Sequence, residues 1–463
     1  MAPLDSTIVS VSLPQIAADL DMGYAEIIWV PTAYLVTLAV TILVMGRVSD
    51  VVGRKSIFLM GFGVFTASSL LCSLSASGAE LILFRIIQGF GGACIGSTSA
   101  AIITETYPSN ERGKALGINA LAVYLGMSLG PPLGGFLTHA FGWRSVFWVN
   151  VPIGIAVILL AHFKIKASSP EARRGRLDFP GVASFALMLV SFLVALTLGD
   201  QWGWTSPQTL ALLIMAVLGF VAFVGVERVK GEGALLDPRL FTRNRMFAAS
   251  NVSAFLNYTS FFGVTIIISF YLQRLLGLTS LEAGWILLIM PVTMALISPI
   301  SGRLSDRLGS RLLASAGMFI IAAGLAWMAG ISTSSTPLHT EVGLFVIGAG
   351  MGIFSSPNTS AVMGSVGRSK LGLASGTLAT MRVTGQATSL ALMGAIVSTV
   401  AANAAISAIF SGQGGDVAID PSDFVRGMDV AFLVSSVIAV IGAFTSLARG
   451  GRPEQANTDV EAI

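Results

Sequence analysis

Long apolar segments restrict what this chain of 463 residues can fold into. Thirteen of them approach the roughly 20 residues that a helix needs to cross the hydrocarbon core of a bilayer. Only 11% of the residues are charged, against about 25% in a typical soluble protein. The sequence therefore predicts an all-α polytopic membrane protein. The predicted spans are 27–45, 56–74, 81–104, 116–137, 146–163, 177–198, 210–226, 247–272, 283–300, 313–331, 342–363, 373–400 and 430–447.

A shorter apolar segment, residues 4–13, precedes these spans. It has the apolar character of the second half of a membrane helix, and we expect helix 1 to be truncated in this chain. A short helix lying at the membrane surface is the alternative. Counted as helix 1, the segment raises the prediction to fourteen membrane helices.

Basic residues are distributed unevenly over the loops between these helices. On the fourteen-helix count, 22 of the 27 Lys and Arg residues, Arg449 among them, fall on one side of the membrane. Only Arg144, Arg274 and Arg426 fall on the other side. Short loops rich in Lys and Arg stay in the cytoplasm. The sequence thus predicts a multi-pass protein of the plasma (cell or inner) membrane with both termini in the cytoplasm.

A ten-residue motif occurs twice, each time after an apolar span. Residues 46–55 read GRVSDVVGRK and residues 302–311 read GRLSDRLGSR, with five identical positions. Such duplication indicates a transporter built from two related halves. The copies end helix 2 and helix 10, so we predict a helix pair inserted between two six-helix halves (6+2+6). The predicted parts are an N-terminal half 1–163, a basic linker 164–176, the inserted pair 177–229, a connector 230–245, a C-terminal half 246–449 and a cytoplasmic tail 450–463.

The duplicated motif resembles the loops between helices 2 and 3 and between helices 8 and 9 of the major facilitator superfamily. The second copy departs from the pattern, because Ser310 stands where the first copy has Arg54. Residues 4–14, 85–89 (RIIQG) and 126–135 (GMSLGPPLGG) resemble motifs of its fourteen-helix drug/proton antiporter branch. The resemblance covers nearly the whole chain. It implies the major facilitator fold and proton-driven export of small lipophilic or amphipathic compounds by alternating access.

Asp5 is the only carboxylate that we place near the middle of a predicted span. Acidic residues inside membrane helices usually serve transport. A carboxylate balanced between burial and a nearby cation can bind and release a proton. We therefore predict that Asp5 couples transport to protons. The alternative is a solvated residue close to the start of the chain.

Arg85 lies deep inside predicted helix 4, and Gln88 follows one turn later on the same face. An arginine at this depth needs a partner or a water-filled cavity. The resemblance implies that Arg85 takes part in proton relay, with Asp5 as its partner. We assign Gln88 to the wall of the substrate cavity. A static ion pair that holds two helices together is the alternative for Arg85 and Asp5.

Predicted helix 5 combines glycines at four-residue spacing with two consecutive prolines. Glycines on one face let a neighbouring helix approach closely, and prolines remove backbone donors and bend a helix. In the resembled family this pattern accompanies exporters, so we predict an antiporter; a plain packing device is the alternative. The motif residues are Gly126, Gly130, Pro131, Pro132, Gly134 and Gly135.

The duplicated motif is also the candidate gating loop. Gly46 and Gly53 would permit a tight turn, and Asp50 could accept hydrogen bonds from helix N-termini or from Arg54. Glu105, at the end of helix 4, is a second acidic partner for Arg54. We expect such pairs to hold the halves in the outward-open state and to break during the reverse motion. A purely topological role for a basic loop is the alternative. The counterparts in the second copy are Gly302, Asp306 and Gly309.

Arg382 is the second cation deep inside a predicted span. Residues 382–387 (RVTGQA) resemble an arginine–glycine pattern in the second half of the same family branch. We assign Arg382 to the substrate cavity, where it either anchors helix packing or sets the electric field. In the resembled family, some multidrug exporters that handle dications carry an acid in helix 10 or helix 13. None lies deep in those predicted helices here, so the resemblance argues against a dicationic substrate.

Other classes of function find little support in the chain. The three histidines are scattered, and both cysteines lie in apolar segments, so neither a metal site nor a disulfide framework is predicted. No phosphate-binding GxxxxGK[ST] loop occurs in the sequence. We expect no enzyme activity and no cofactor, with the proton gradient as energy source. The expected partners are a lipophilic small molecule, protons and membrane lipid, without nucleic acid or an obligate protein partner. Uptake of a small solute and a non-transporting receptor are the alternatives.

Overall fold

The structure is a computed structural model and describes residues 1–107, 112–165, 178–230, 238–366, 371–400 and 421–450. These residues form helices and short connections, and no β-strand occurs among them. The helices are α1 (Ala2–Asp19), α2 (Tyr24–Val52), α3 (Arg54–Leu74), α4 (Gly78–Thr106), α5 (Arg112–Phe141), α6 (Ser145–Trp148), α7 (Asn150–Lys164), α8 (Phe179–Trp202), α9 (Pro207–Lys230), α10 (Pro238–Arg243), α11 (Arg245–Phe261), α12 (Val264–Phe270), α13 (Ser280–Leu287), α14 (Ile289–Leu308), α15 (Ser310–Met328), α16 (Pro337–Gly364), α17 (Leu371–Val400) and α18 (Pro421–Leu447). A π-helical turn, Tyr271–Leu275, follows α12.

Twelve helices or helix runs of the described chain are long and apolar enough to cross a membrane. They correspond to twelve of the thirteen complete spans predicted from the sequence. The thirteenth, residues 116–137, lies in α5, which is a long helix but is not among the twelve. The fourteen-helix membrane arrangement therefore stays a prediction.

Two predicted boundaries were wrong. The first helix covers Ala2–Asp19 rather than residues 4–13, because the helix continues past Pro14. The last helix begins at Pro421 rather than at residue 430. Its polar first turns are therefore helical, and Asp429 lies inside a candidate span. Asp5 is thus not the only carboxylate within the apolar helices.

The helices pack as two bundles with a pair beside them. In the first bundle α1 packs on α5, α2 and α3 pack on α4, and α7 packs on α3. In the second, α16 packs on α14 and α15, while α11 and α15 pack on α18. Helices α8 and α9 pack on each other, and α8 also contacts both α2 and α17. The pair therefore lies against both bundles along one side of the molecule.

The two motif copies occupy equivalent positions in the two bundles. Gly53 separates α2 from α3 with φ at 107°, and Gly309 separates α14 from α15 with φ at 82°. Positive φ favours glycine because a side chain would be strained there. The expectation that Gly46 also forms the turn was wrong, because α2 runs through Gly46 to Val52. Gly302 is likewise inside α14.

Candidate functional site

Asp5 lies in the first turn of α1 and is fully buried, with 0% of its surface exposed. Its Oδ2 accepts a hydrogen bond from Arg85 Nη1 at 2.6 Å. Its Oδ1 accepts from Gln88 Nε2 at 3.1 Å and from Asn150 Nδ2 at 2.9 Å. The donors come from α4 and α7, so the carboxylate joins three helices of the first bundle.

Arg85 is also buried, with 1% of its surface exposed. Its Nε donates to the carbonyl of Val30 at 3.0 Å, and its Nη1 also donates to Gln88 Oε1 at 2.6 Å. The guanidinium lies 4.4 Å from the ring centroid of Tyr34 and 5.8 Å from that of Phe147. A buried ion pair is tolerated when such additional bonds satisfy its remaining polar atoms. The predicted pairing of Arg85 with Asp5 is seen directly.

Gln88 joins both members of the ion pair. Besides its bonds to Asp5 and Arg85, its Nε2 donates to Ser69 Oγ at 2.7 Å. It is fully buried in this conformation. Its predicted place in the wall of a substrate cavity stays a prediction, since no surface of Gln88 is accessible here.

Two residues of this network, Asn150 and Tyr34, were not predicted from the sequence. Asn150 is an amide inside predicted span 146–163, and a polar residue within a span was the signal that could have indicated it. Its Oδ1 and the hydroxyl of Tyr34 are buried and have no hydrogen-bond partner among the described residues. The network therefore contains unused hydrogen-bonding capacity beside the ion pair.

Protonation of Asp5 would change this network chemically. The ionised carboxylate neutralises Arg85, whereas the protonated acid leaves a buried guanidinium without a counter-charge. Leaving such a charge unpaired is strongly unfavourable. Proton binding at Asp5 therefore favours any rearrangement that separates α1 from α4 or hydrates Arg85.

The glycine face of α5 lies against α1, the helix that carries Asp5. A Cβ at Gly130 would lie 1.9 Å from Thr7 Oγ1, and a Cβ at Gly134 would lie 2.4 Å from the Ile8 carbonyl oxygen. A Cβ at Gly126 would meet nothing nearer than 3.6 Å. The close approach is thus limited to the part of α5 from Gly130 onwards. Pro131 and Pro132 lie inside the same continuous helix.

The two bundles meet through α5 and α13. A Cβ at Gly135 would lie 2.4 Å from the carbonyl oxygen of Ser280, and one at Gly284 would lie 2.6 Å from that of Pro131. Glycine on both sides lets the backbones approach closely. This contact lies at the end of the molecule that carries Asp19, which we call the Asp19 end.

Two hydrogen bonds close the Asp19 end between α1 and the second bundle. Gln273 Nε2 donates to the carbonyl of Val11 at 2.9 Å, and Arg274 Nη2 donates to that of Pro14 at 2.5 Å. Both donors lie in the π-helical turn, a conformation that often marks functional sites. Helix α1 therefore contacts the second bundle directly while it carries Asp5 in the first.

We expect Arg274→Ala to weaken closure of the Asp19 end. A hydrogen bond from a charged donor contributes about 1.5–3 kcal/mol, so the exposure of the α1 surface should rise by about tenfold or more. The measurement is the rate at which a membrane-impermeant maleimide labels Val11→Cys in purified protein. Arg144→Ala is the matched control, because Arg144 lies at the same end but pairs with Asp19 inside the first bundle. Equal labelling in the two variants would contradict a role for Arg274 in closure.

The described ion pair of the gating loop lies within the first bundle. Arg54 Nη1 lies 3.4 Å from Glu105 Oε2 and 3.4 Å from the carbonyl oxygen of Ala101. These contacts join α3 to α4, so this pair does not connect the two halves. The side chains of Asp50 and Asp306 are not among those that the structure describes. A gating role for the motif therefore stays a prediction.

Arg382 lies on α17 and is partly exposed. Its Nη2 donates to Thr359 Oγ1 of α16 at 2.6 Å, and its guanidinium lies 5.9 Å from the ring centroid of Tyr258 on α11. Its Nε is buried and has no hydrogen-bond partner among the described residues. Unlike Arg85, it forms no ion pair in the part of the chain that the structure describes.

Arg449 is a cation whose environment the sequence did not reveal. Charge counting placed it in a cytoplasmic segment, but the structure buries it just beyond α18, with 1% of its surface exposed. It donates to Asn358 Oδ1 and lies 6.0 Å from the ring centroid of Phe354. Burial lowers the pKa of its guanidinium to about 9. Its Nε and Nη1 have no partner among the described residues.

Comparison with known proteins gives consistent results. The family profile of the Major Facilitator Superfamily matches residues 1–225, 179–387 and 251–462. The riboflavin transporter RibZ of Clostridioides difficile (strain 630) is 34% identical over 382 residues, which cover 82% of each chain. The multidrug resistance protein Stp of Mycobacterium tuberculosis (strain CDC 1551 / Oshkosh) is 32% identical over 396 residues, 85% of this chain and 73% of that protein.

A solved structure shares the fold. It is a bacterial homologue of the human lysosomal transporter Spinster, in an inward-facing and unoccupied conformation. The TM-score is 0.68 with 17% sequence identity, and the match covers 97% of this chain and 94% of that one.

Proposed function

The chain belongs to the major facilitator superfamily, and we propose that it exports small lipophilic or amphipathic compounds by proton antiport. It is an all-helical membrane transporter of that fold. The observation that carries the proposal is the buried network of Asp5, Arg85, Gln88 and Asn150. The relatives named as multidrug resistance transporters support drug or toxic-metabolite efflux as the direction.

The proposed mechanism links proton binding to alternating access through α1. This helix holds Asp5 in the buried network and also accepts the bonds from Gln273 and Arg274 that close the Asp19 end. Movement of α1 opens the Asp19 end, and a proton then enters from that side and binds Asp5. Protonation weakens the hold of Asp5 on Arg85, so α1 can move back and close the Asp19 end. Release of the proton on the opposite side restores the ion pair that the structure shows.

The membrane arrangement belongs to the same proposal. We place the protein in the plasma membrane with fourteen helices in a 6+2+6 order, as in the drug/proton antiporter branch, and with both termini in the cytoplasm. The Asp19 end then faces outward, and the conformation described here is closed on the outside. The proton gradient supplies the energy, without a cofactor or an obligate protein partner.

The test uses everted membrane vesicles with an acidic interior, a pH-sensitive dye and a panel of lipophilic compounds. Export by antiport predicts that proton release from the vesicles depends on the compound and that the compound accumulates inside. Vesicles without the protein provide the background. Absence of compound-dependent proton release, with insertion verified, would refute proton antiport.

A second candidate function is uptake of a small solute, favoured by the relative named as a riboflavin transporter. The same vesicles separate the two directions. Uptake predicts that the compound leaves the everted vesicles, whereas export predicts that it accumulates inside them.

A further inference from the structure

Arg85 and Arg382, the two arginines deep inside the predicted spans, differ in how their charge is compensated. Arg85 forms an ion pair with Asp5 at 2.6 Å and bonds to an amide and a carbonyl. Arg382 bonds to one neutral hydroxyl, that of Thr359. None of the carboxylates that the structure describes pairs with it. An uncompensated guanidinium within a membrane is costly and marks a functional site by default.

Arg382 lies on a face of α17 that is partly exposed along its length. Residues at helical spacing on this face are Ser375, Ala379, Arg382 and Gln386, all of which are partly exposed. The face lies at a junction of the second bundle, because Arg382 contacts Thr359 of α16 and Tyr258 of α11. Because Arg382 is partly exposed, a small molecule can reach its side chain, whereas the buried Arg85 is out of reach.

The Arg382 guanidinium keeps an unused hydrogen-bond donor. Its Nε has no partner in the described chain. A planar guanidinium matches the geometry of a carboxylate or a phosphate and binds them more strongly than neutral acceptors. Its positive charge repels a cationic group. The local chemistry therefore fits an oxyanion.

We propose that Arg382 binds an anionic group, a carboxylate or a similar oxyanion, on the compound that the protein transports. The proposal rests on the transport function proposed above and names the class of substrate. The bond to Thr359 orients the guanidinium. The aromatic ring of Tyr258, 5.9 Å from the guanidinium, offers an apolar contact to the body of the compound.

The experiment compares three fluorescent ligands with one apolar body: 1-pyrenebutyrate, 1-pyrenebutanol and 1-pyrenebutylammonium. Binding is measured in purified protein in nanodiscs, with empty nanodiscs as background and without a proton gradient. Wild-type protein should bind the carboxylate most tightly. Arg382→Gln should weaken carboxylate binding by about 10- to 100-fold, since a charge-assisted bond is lost, and leave the alcohol nearly unchanged.

Two further variants separate binding from packing. Arg382→Lys keeps the charge and should retain part of the preference for the carboxylate, so it tests the proposal even if Arg382→Gln folds poorly. Arg426→Gln is the matched control, because Arg426 is an exposed arginine of the same bundle that lies 4.0 Å from Asp423. It should leave all three affinities unchanged.

Two outcomes would overturn the proposal. One is wild-type protein that binds the carboxylate no more tightly than the alcohol. The other is an equal loss for all three ligands in Arg382→Gln, which would make Arg382 a packing residue. Because binding is measured without a gradient, failure of proton antiport would leave this result intact. Conversely, the protein could exchange cations for protons and show no preference for the carboxylate ligand. That result would refute the anionic class of substrate but not proton antiport.

Discussion

Asp5→Asn is expected to abolish proton-coupled transport and to destabilise the protein by about 3 kcal/mol or more, the cost of leaving a buried charge unpaired. The new amide can still accept hydrogen bonds from Gln88 and Asn150. Its NH2 group, however, then faces Arg85 Nη1, so two donors oppose each other and the guanidinium loses its counter-charge. Transport is measured as compound-dependent proton release in everted vesicles, and stability by denaturant unfolding in detergent.

Asp19→Asn is the matched control for this prediction. Asp19 lies on the same helix and also pairs with an arginine, Arg144, at 2.7 Å, but both side chains are almost half exposed (48% and 46%). Exposed pairs contribute about 1 kcal/mol or less. We therefore expect normal coupling and a small change in stability. Full proton-coupled transport by Asp5→Asn would contradict the role of Asp5.

A double variant separates stability from coupling. Asp5→Asn combined with Arg85→Gln removes both charges, so no buried charge is left unpaired. It should be more stable than Asp5→Asn alone but should still fail to couple protons to transport. Recovery of proton coupling in the double variant would show that the pair only holds helices together.

Gly134→Ala is expected to push α1 away from α5. The free energy of unfolding should fall by about 1–3 kcal/mol, as is typical of overpacking, and most of the transport activity should be lost. The added Cβ would lie 2.4 Å from the carbonyl oxygen of Ile8. Because this atom belongs to the backbone, a change of side-chain rotamer cannot relieve the contact. The shift must instead move α1, which carries Asp5. Transport and unfolding are measured as for Asp5→Asn.

Gly126→Ala is the matched control on the same helix face. Its Cβ would meet no atom nearer than 3.6 Å. Alanine also favours helix over glycine by about 1 kcal/mol. We therefore expect Gly126→Ala to be neutral or slightly stabilising and to transport normally. Equal effects at both glycines would contradict the close approach of α1 as the cause.

The spacing of the glycines in helix 5 predicted a close contact with another helix. It did not predict which helix makes that contact. Four-residue spacing places Gly126, Gly130 and Gly134 on one face of any helix. It does not say that α1 lies against that face or that the contact tightens only from Gly130 onwards. Likewise, Gly135 was part of the motif, but its approach to Ser280 in the second bundle is a property of the packed structure.

The sequence by itself determined the class of protein, the existence of the helices, the duplication and the family. These conclusions rest on local properties: apolar length, short motifs and the distribution of charge. The same local properties identified Asp5, Arg85 and Arg382 as charged residues inside membrane helices, where a charge is costly and usually functional. It misjudged where α1 and α18 begin or end, because helix ends depend on their surroundings.

Only the tertiary structure decided which of these residues compensate each other. Asp5 lies 80 positions from Arg85 and 145 from Asn150, and packing of α1, α4 and α7 brings them within hydrogen-bond distance. Packing also leaves Arg382 with a neutral partner and buries Arg449. The energy of a buried charge depends on the atoms around it, and a sequence does not specify those atoms until distant helices are in contact.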